Sequence, residues 1–143
     1  GAKRQIIIAQ RLVRKICPKC KKEVKVTAEE IKGLQAKYNV KKDFIKIIEE
    51  ITKEPFTDQS VFTFYKGEGC GSCVNSGYKG RTSICEVIEV SDETRQILLN
   101  NGNASEIDAQ AQKEGMVPMF TDGIQKVLSG ETTIEEILRV MRN

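Results

Sequence analysis

The sequence predicts an α+β fold, in which a small zinc-pinned α/β unit is followed by an all-α helical C-terminal unit. Segments rich in β-branched and aromatic residues alternate with helix-capping patterns as far as about residue 90. Beyond that point the apolar residues recur at helical spacing only. Two C-x-x-C pairs lie in the first part, and a duplicated pair is typical of a site that holds one metal ion.

The first part of the chain contains three predicted strands and two predicted helices. The strands are Gln5–Arg14, Val61–Lys66 and Arg81–Val90, and the helices run from Thr27 to about Tyr38 and from Asp43 to Pro55. Thr27 and Glu30 form a capping box at the start of the first helix, and Pro55 ends the second. One side of the first strand is expected to carry Ile6, Ile8 and Leu12.

Four helices are predicted after Val90. They begin at Ser91 or Asp92, at Asn103, at Met119 and at Thr133, and the first three end at the Asn100-Asn101-Gly102 turn, at Gly115 and at Ser129. Asn103 with Glu106, and Thr133 with Glu136, match the capping-box pattern. The apolar stripes of these helices are interpreted as core faces.

Four of the five cysteines form the two C-x-x-C pairs, and the chain contains no histidine. The pairs are Cys17 with Cys20 and Cys70 with Cys73. Each pair is a knuckle whose two thiolates reach one ion, and two knuckles complete a closed tetrahedral cage without an open position for substrate or water. The 49 residues between the pairs must then form a folded insert. We predict a structural zinc ion at these four cysteines.

Other uses of these thiols remain open at the level of sequence. Disulfides would suit a secreted protein. However, the longest unbroken apolar run, Ile6–Ala9, is too short for a secretory signal or a membrane span, so a reduced, intracellular protein is expected. Iron in a four-sulfur site is the second alternative. The fifth cysteine, Cys85, is interpreted as a half-buried strand residue outside the cage.

Positive charge is concentrated at the start of the chain. Residues 1–26 carry nine Lys or Arg against one acid, Glu23, whereas the whole chain has a net charge of +3. A basic segment beside a metal knuckle permits the hypothesis of a free-standing zinc-ribbon nucleic-acid-binding protein. We prefer the interpretation that the lysines offset the negative charge of a four-thiolate cage, because no aromatic stacking platform accompanies them. No nucleic-acid partner is expected.

The sequence offers no catalytic residue. It contains no G-x-x-x-x-G-K-[ST] loop for a nucleotide phosphate and no histidine base to activate a Ser or Cys nucleophile. The acidic pairs Glu29-Glu30, Glu49-Glu50 and Glu135-Glu136 are interpreted as solvated helix faces. A thiol oxidoreductase would require one C-x-x-C pair that is exposed and free of metal at a helix N-terminus.

Three stretches of the chain match a known family in the same order. They are AQRLVRKICPKCK at residues 9–21, GCGSC at 69–73 with SGYKGR at 76–81, and FTDGIQKV at 120–127 with SGETTIEEILRV at 129–140. Together they resemble the C-terminal part of the type II secretion and type IV pilus assembly ATPases, the GspE/PilB family. The resemblance runs from about Ile8 to the end of the chain, although residues 23–60 contribute little to it.

The resemblance implies the C-terminal region of a hexameric cytoplasmic ATPase. Residues 1–14 would be a strand remnant leaving the ATPase core, 15–90 a tetracysteine zinc-binding domain, and 91–143 a helical C-terminal domain. The family's zinc ligands correspond to Cys17, Cys20, Cys70 and Cys73, and its turn glycines and following arginine to Gly77, Gly80 and Arg81. The role of Arg81 is interpreted as structural. Cys85 stands where relatives often have another residue, frequently histidine.

The same resemblance implies a noncatalytic, zinc-stabilised module that assembles subunits and couples ATP-driven motion to the inner-membrane platform in protein secretion or pilus extension. Its expected partners are its own ATPase core, neighbouring subunits of the hexamer and the inner-membrane platform protein. The expected location is the cytoplasm at the inner face of the inner membrane, without direct membrane insertion. ATP and Mg²⁺ would bind only to the full-length parent, because the phosphate-binding loop and the acidic metal-binding segments are missing here.

Overall fold

Two antiparallel sheets organise the described part of the chain. The computed structural model describes residues 4–40, 44–100, 105 and 116–141. The strands are β1 (Arg4–Ile16), β2 (Lys21–Thr27), β3 (Val61–Gly67), β4 (Tyr78–Val90) and β5 (Met116–Val117). One sheet has the strand order β1-β4-β5, and the other pairs β2 with β3. The pairing of β1 with β4 spans nearly the whole of both strands, so it joins the start of the chain to its middle.

The described helices are α1 (Ala28–Lys37), α2 (Phe44–Thr52), α3 (Asp92–Leu99), α4 (Met119–Leu128) and α5 (Ile134–Met141). The capping box predicted for α1 is confirmed: the Glu30 amide donates to the Thr27 hydroxyl at 3.2 Å, and the Thr27 amide donates to the Glu30 carboxylate at 3.2 Å. The predicted cap at Asp43 lies outside the described residues, as does the helix predicted from Asn103 to Gly115 apart from residue 105. Within the described ranges, no helix is long and apolar enough to cross a bilayer.

One hydrophobic core includes residues from both predicted units. Its described buried members come from β1 to β4, from α1, α2, α4 and α5, and from Val40, and are Val13, Val26, Ile31, Val40, Phe44, Ile48, Phe64, Ile84, Met119, Phe120, Ile124, Val127, Ile134, Ile137 and Leu138. Phe44 and Phe120 meet edge to face with their ring centroids 5.5 Å apart, a favourable aromatic geometry. Helices α4 and α5 therefore pack on the same core as the segment that carries the cysteines. The division into units at residue 90 stays a prediction.

The register of β1 departs from simple alternation. A shift between Ile7 and Ala9 breaks the pairing with β4. As a result Ile6 packs beside Ile88 in a small second cluster, whereas Leu12 is 57% exposed. The expectation that Ile6, Ile8 and Leu12 share one side is wrong, because an extra residue in one strand moves the side chains that follow it to the opposite face.

Two strands of the structure were not predicted. β2 is rich in lysine, and it forms because β3 pairs with it from Lys21 opposite Gly67 to Thr27 opposite Val61. β5 is only two residues long and pairs with Val87 and Ile88 of β4. The α+β class is confirmed. The expectation of helix only beyond residue 90 is corrected by β5, which completes the edge of the first sheet.

Candidate metal centre

The two C-x-x-C pairs occupy two turns at one end of the sheets. Cys17 and Cys20 lie between β1 and β2, and Cys70 and Cys73 lie between β3 and β4. Because β1 pairs with β4 and β2 pairs with β3, both turns reach the same place. Strand pairing therefore unites sulfurs that are 53 positions apart in the sequence.

The four sulfur atoms are spaced as the ligands of one ion. All four Sγ atoms lie within 4.8 Å of one another. The Sγ–Sγ separations are 3.8 Å for Cys17 and Cys70, 3.8 Å for Cys20 and Cys73, and 3.7 Å for Cys70 and Cys73. Tetrahedral zinc with Zn–S bonds of about 2.3 Å requires sulfurs about 3.8 Å apart, whereas a disulfide requires about 2.05 Å. The four cysteines are free thiols in a metal-ligand arrangement.

Backbone amides point at two of these sulfurs. The amides of Cys70 and Gly77 donate to the Cys73 sulfur at 3.3 and 3.2 Å, and the Gly69 amide donates to the Cys20 sulfur at 3.3 Å. Such N–H donors stabilise thiolates and orient them, as second-shell groups do in metal sites. The turns therefore supply polar support for negative charge on sulfur.

The thiols of the cluster differ in acidity. Burial acts to raise the pKa of Cys73, but the amides of Cys70 and Gly77 lower it to about 6. Burial raises the pKa of Cys20 to about 11, although the Gly69 amide works in the opposite direction. A thiol must lose its proton before its sulfur can bind a metal ion. Metal affinity at this site should therefore rise with pH.

Glycines allow the two turns to approach each other. A Cβ atom at Gly67 would overlap the carbonyl group of Gly77, and Gly77 itself has a φ of +81°, which side chains disfavour. The close approach permits hydrogen bonds from the Cys17 amide to the Gly77 carbonyl at 2.9 Å and from the Glu68 amide to the Cys20 carbonyl at 3.1 Å. Backbone hydrogen bonds therefore hold the two turns together, in addition to any metal ion that the four sulfurs would bind.

The donor set fits a structural zinc ion. Four thiolates satisfy a tetrahedral soft cation, and Cys17 is 0% and Cys73 6% exposed, so two of the ligands are shielded from water. Cys85 does not belong to the cluster formed by the other four cysteines. Its amide instead donates to the Asp122 carboxylate at 2.7 Å, which attaches α4 to β4.

A buried carboxylate near this centre was not anticipated. Glu136 of α5, interpreted from sequence as part of a solvated face, is 1% exposed. Its carboxylate accepts hydrogen bonds from the Arg14 amide at 2.8 Å, from the Arg14 guanidinium at 2.8 and 3.1 Å, and from the Arg139 guanidinium at 2.8 and 3.2 Å. Burial opposes ionisation of Glu136, but Arg139 and Arg14 lower its pKa to about 2. The only signal in the sequence for this network is the spacing of Glu136 and Arg139, which lie three residues apart and therefore on the same face of a helix.

Tyr78 links the arginine network to the cysteine turns. The Arg14 guanidinium lies 4.1 Å from the centroid of the Tyr78 ring, and the Tyr78 hydroxyl is 2.9 Å from the Thr133 hydroxyl. The Ile16 amide, immediately before the first knuckle, donates to the Glu131 carbonyl at 3.0 Å. Helix α5 is thus held against the strand ends that carry the cysteine turns.

Known proteins match almost the entire chain. Residues 3–139 match the family described as type II/IV secretion system protein. The chain is 36% identical over 140 residues to the type IV pilus assembly ATPase PilB of Pseudomonas aeruginosa, covering 96% of this chain and 21% of the relative. It is 35% identical over 132 residues to PilB of Thermus thermophilus, covering 92% and 13%. It is 33% identical over 136 residues to type II secretion system protein E of P. aeruginosa, covering 95% and 23%.

The chain therefore spans between about an eighth and a quarter of the length of these curated relatives. The matched range includes both cysteine turns and helices α4 and α5. On this evidence the chain belongs to the type II/IV secretion system protein family.

Proposed function

We propose that this chain is the zinc-stabilised, noncatalytic C-terminal module of a hexameric secretion or pilus-assembly ATPase. In this role it helps subunits to assemble and couples ATP-driven motion to an inner-membrane platform protein during secretion or pilus extension. The parent protein would work in the cytoplasm at the inner face of the inner membrane. ATP and Mg²⁺ would bind to its motor core and not to this chain.

One observation carries the proposal: four sulfurs from two distant turns lie within 4.8 Å of one another. A tetrathiolate site with every position filled by protein is suited to holding a fold rather than to activating a water molecule or a substrate. Binding of zinc to such a site can contribute roughly 10–16 kcal/mol of apparent free energy that is coupled to folding. The free energy of zinc binding would stabilise a chain in which only 6% of the residues are aromatic and few large side chains are available to fill a core.

The shared core supports a coupling role. Residues of β1, the inserted helices, α4 and α5 bury their side chains in one cluster. Movement applied at one of these elements would therefore be transmitted to the others, because packed interiors deform little. Within this scheme the strand remnant 1–14, the zinc domain 15–90 and the helical domain 91–143 remain the proposed parts.

The geometry gives less support to the two rival functions. A thiol oxidoreductase needs an exposed pair, whereas each pair here contains one buried cysteine, Cys17 or Cys73. A nucleic-acid binder needs free basic side chains. Arg14 is bound to Glu136 at 2.8 Å and Lys22 to Glu68 at 2.6 Å, so part of the N-terminal positive charge is neutralised internally.

The test uses the full-length parent protein with Cys70→Ser, and with Cys85→Ser as the matched control. Cys70→Ser is expected to lose bound zinc and to abolish secretion or pilus extension, while ATP hydrolysis by the purified protein survives. Cys85→Ser is expected to retain both metal and function. Normal secretion or pilus extension by a Cys70→Ser protein without zinc would contradict the proposal, as would high-affinity, salt-sensitive binding of DNA by the unaltered chain.

A further inference from the structure

Three arginines line one open cavity of about 360 Å³ at the edge of the first sheet. Arg14 comes from β1, Arg81 from β4 and Arg139 from α5, and Leu12 and Val13 complete the lining. The side chains of Arg14 and Arg139 are 50% and 49% exposed, and Arg81 is also exposed. The cavity is therefore accessible from solvent.

Positive charge exceeds negative charge at this cavity. Arg14 and Arg81 are direct partners across β1 and β4, an arrangement in which like charges destabilise a sheet. Arg14 and Arg139 share the single carboxylate of Glu136. No described acidic side chain pairs with Arg81. Among the described residues, three guanidinium groups and one carboxylate leave a net charge of +2, which an incoming carboxylate would reduce.

The lining also indicates the kind of anion. Guanidinium groups present planar pairs of donors that match carboxylate and phosphate oxygens. Among the residues that the structure describes, no aromatic ring lines the cavity, so none is present on which a nucleobase would stack. Leu12, which lines the cavity, is instead 57% exposed. An apolar flank beside a cationic cavity is complementary to a peptide that carries both acidic and apolar side chains.

We propose that the cavity formed by Arg14, Arg81 and Arg139 is a docking site for an acidic segment of a partner protein. A carboxylate of the partner enters between Arg81 and the Arg14–Arg139 pair, and an apolar neighbour covers Leu12. Glu136 positions two of the three arginines and neutralises one of the three positive charges. This site is distinct from the metal centre and does not depend on coupling to a motor.

The test measures fluorescence anisotropy of a labelled octapeptide of alternating Glu and Leu, with a Gln–Leu octapeptide as the neutral probe. The zinc-loaded chain should bind the acidic peptide and not the neutral one. Arg81→Gln should weaken binding about tenfold, equivalent to about 1.4 kcal/mol. Arg81→Lys should weaken binding by a smaller factor, because lysine keeps the positive charge but lacks the paired N–H donors of the guanidinium group.

Lys66→Gln is the matched control, because Lys66 is an exposed residue of β3 in the other sheet and its loss removes the same charge. It should leave the affinity within twofold of that of the unaltered chain. Equal weakening by Lys66→Gln and Arg81→Gln would overturn the proposal, since it would indicate only general attraction. Equal binding of both peptides, or displacement of the peptide by micromolar inorganic phosphate, would also overturn it.

Discussion

The cysteine cage and the Glu136 network hold the same end of β1 by different means. The cage brings together four sulfurs from two turns, and an ion would complete it. The network joins one buried carboxylate on α5 to Arg14 on β1 and Arg139 on α5, and its charges are all supplied by the chain. One small region therefore contains two contacts of different sensitivity: the cage would respond to metal and to thiol protonation, whereas the network depends on a single carboxylate.

The largest expected effect is loss of the cage. Cys70→Ser removes one of four ligands, so the chain should lose its metal and its cooperative thermal unfolding transition, given that zinc contributes roughly 10 kcal/mol or more to such sites. Cys85→Ser, the matched control, should change stability by about 1 kcal/mol or less because Cys85 lies outside the cluster. Elemental analysis and thermal melts followed by circular dichroism test this. A metal-free Cys70→Ser chain with an unchanged melt would contradict it.

The second effect is loss of the buried carboxylate. Glu136→Gln leaves Arg14 and Arg139 without a negative partner. Because both arginines are half exposed and remain solvated, the cost should be that of the lost charged hydrogen bonds, about 1.5–3 kcal/mol. Glu135→Gln on the neighbouring exposed position should cost less than about 0.5 kcal/mol. Urea denaturation of both zinc-loaded variants measures the difference. Equal stability of the two variants would show that the network adds nothing to the fold.

The network should also make stability depend on pH. In the folded chain the pKa of Glu136 is about 2, below the ordinary value of 4.5. The stabilisation is therefore complete above pH 4.5 and is lost as the pH falls toward 2. The difference in unfolding free energy between the unaltered chain and Glu136→Gln should shrink across that window. Urea titrations at several pH values test this down to the lowest pH at which elemental analysis finds the metal still bound to both chains, because the two unfolding free energies can be compared only while both keep the cage. A difference that stays constant as the pH falls below 4.5 within that range would contradict the assignment.

The smallest expected effect concerns a strained residue in the second knuckle. Val74 adopts a φ of +54° and is 86% exposed, so a β-branched side chain occupies a left-handed conformation without burying its surface. Val74→Asn should stabilise the zinc-loaded chain by about 1 kcal/mol, since asparagine tolerates that conformation. Val61→Asn, at a 58% exposed strand position, should destabilise it slightly. A lower melting temperature for Val74→Asn would contradict this account.

The local elements of this protein could be predicted because their signals are local. The Thr27 capping box, the proline after α2 and the two C-x-x-C pairs each specify a turn or a helix end within a few residues. The resemblance carried by residues 9–21, 69–81 and 120–140 also led to the family that the comparison confirms. The strand β2 was missed because its lysine-rich sequence gains strand structure only by pairing with β3.

The sequence by itself determined that four cysteines lie in two C-x-x-C turns suited to one metal ion, since side-chain identity and turn chemistry are local properties. Only the tertiary structure decided which side chains are buried. The bulge after Ile7 turns Leu12 outward, and the packing of α5 on β1 brings Glu136 to Arg14, 122 positions away. Burial depends on strand register and on long-range packing, which a local sequence pattern does not specify. For that reason the buried Glu136 carboxylate and the exposed arginine cavity beside it became evident only in the structure.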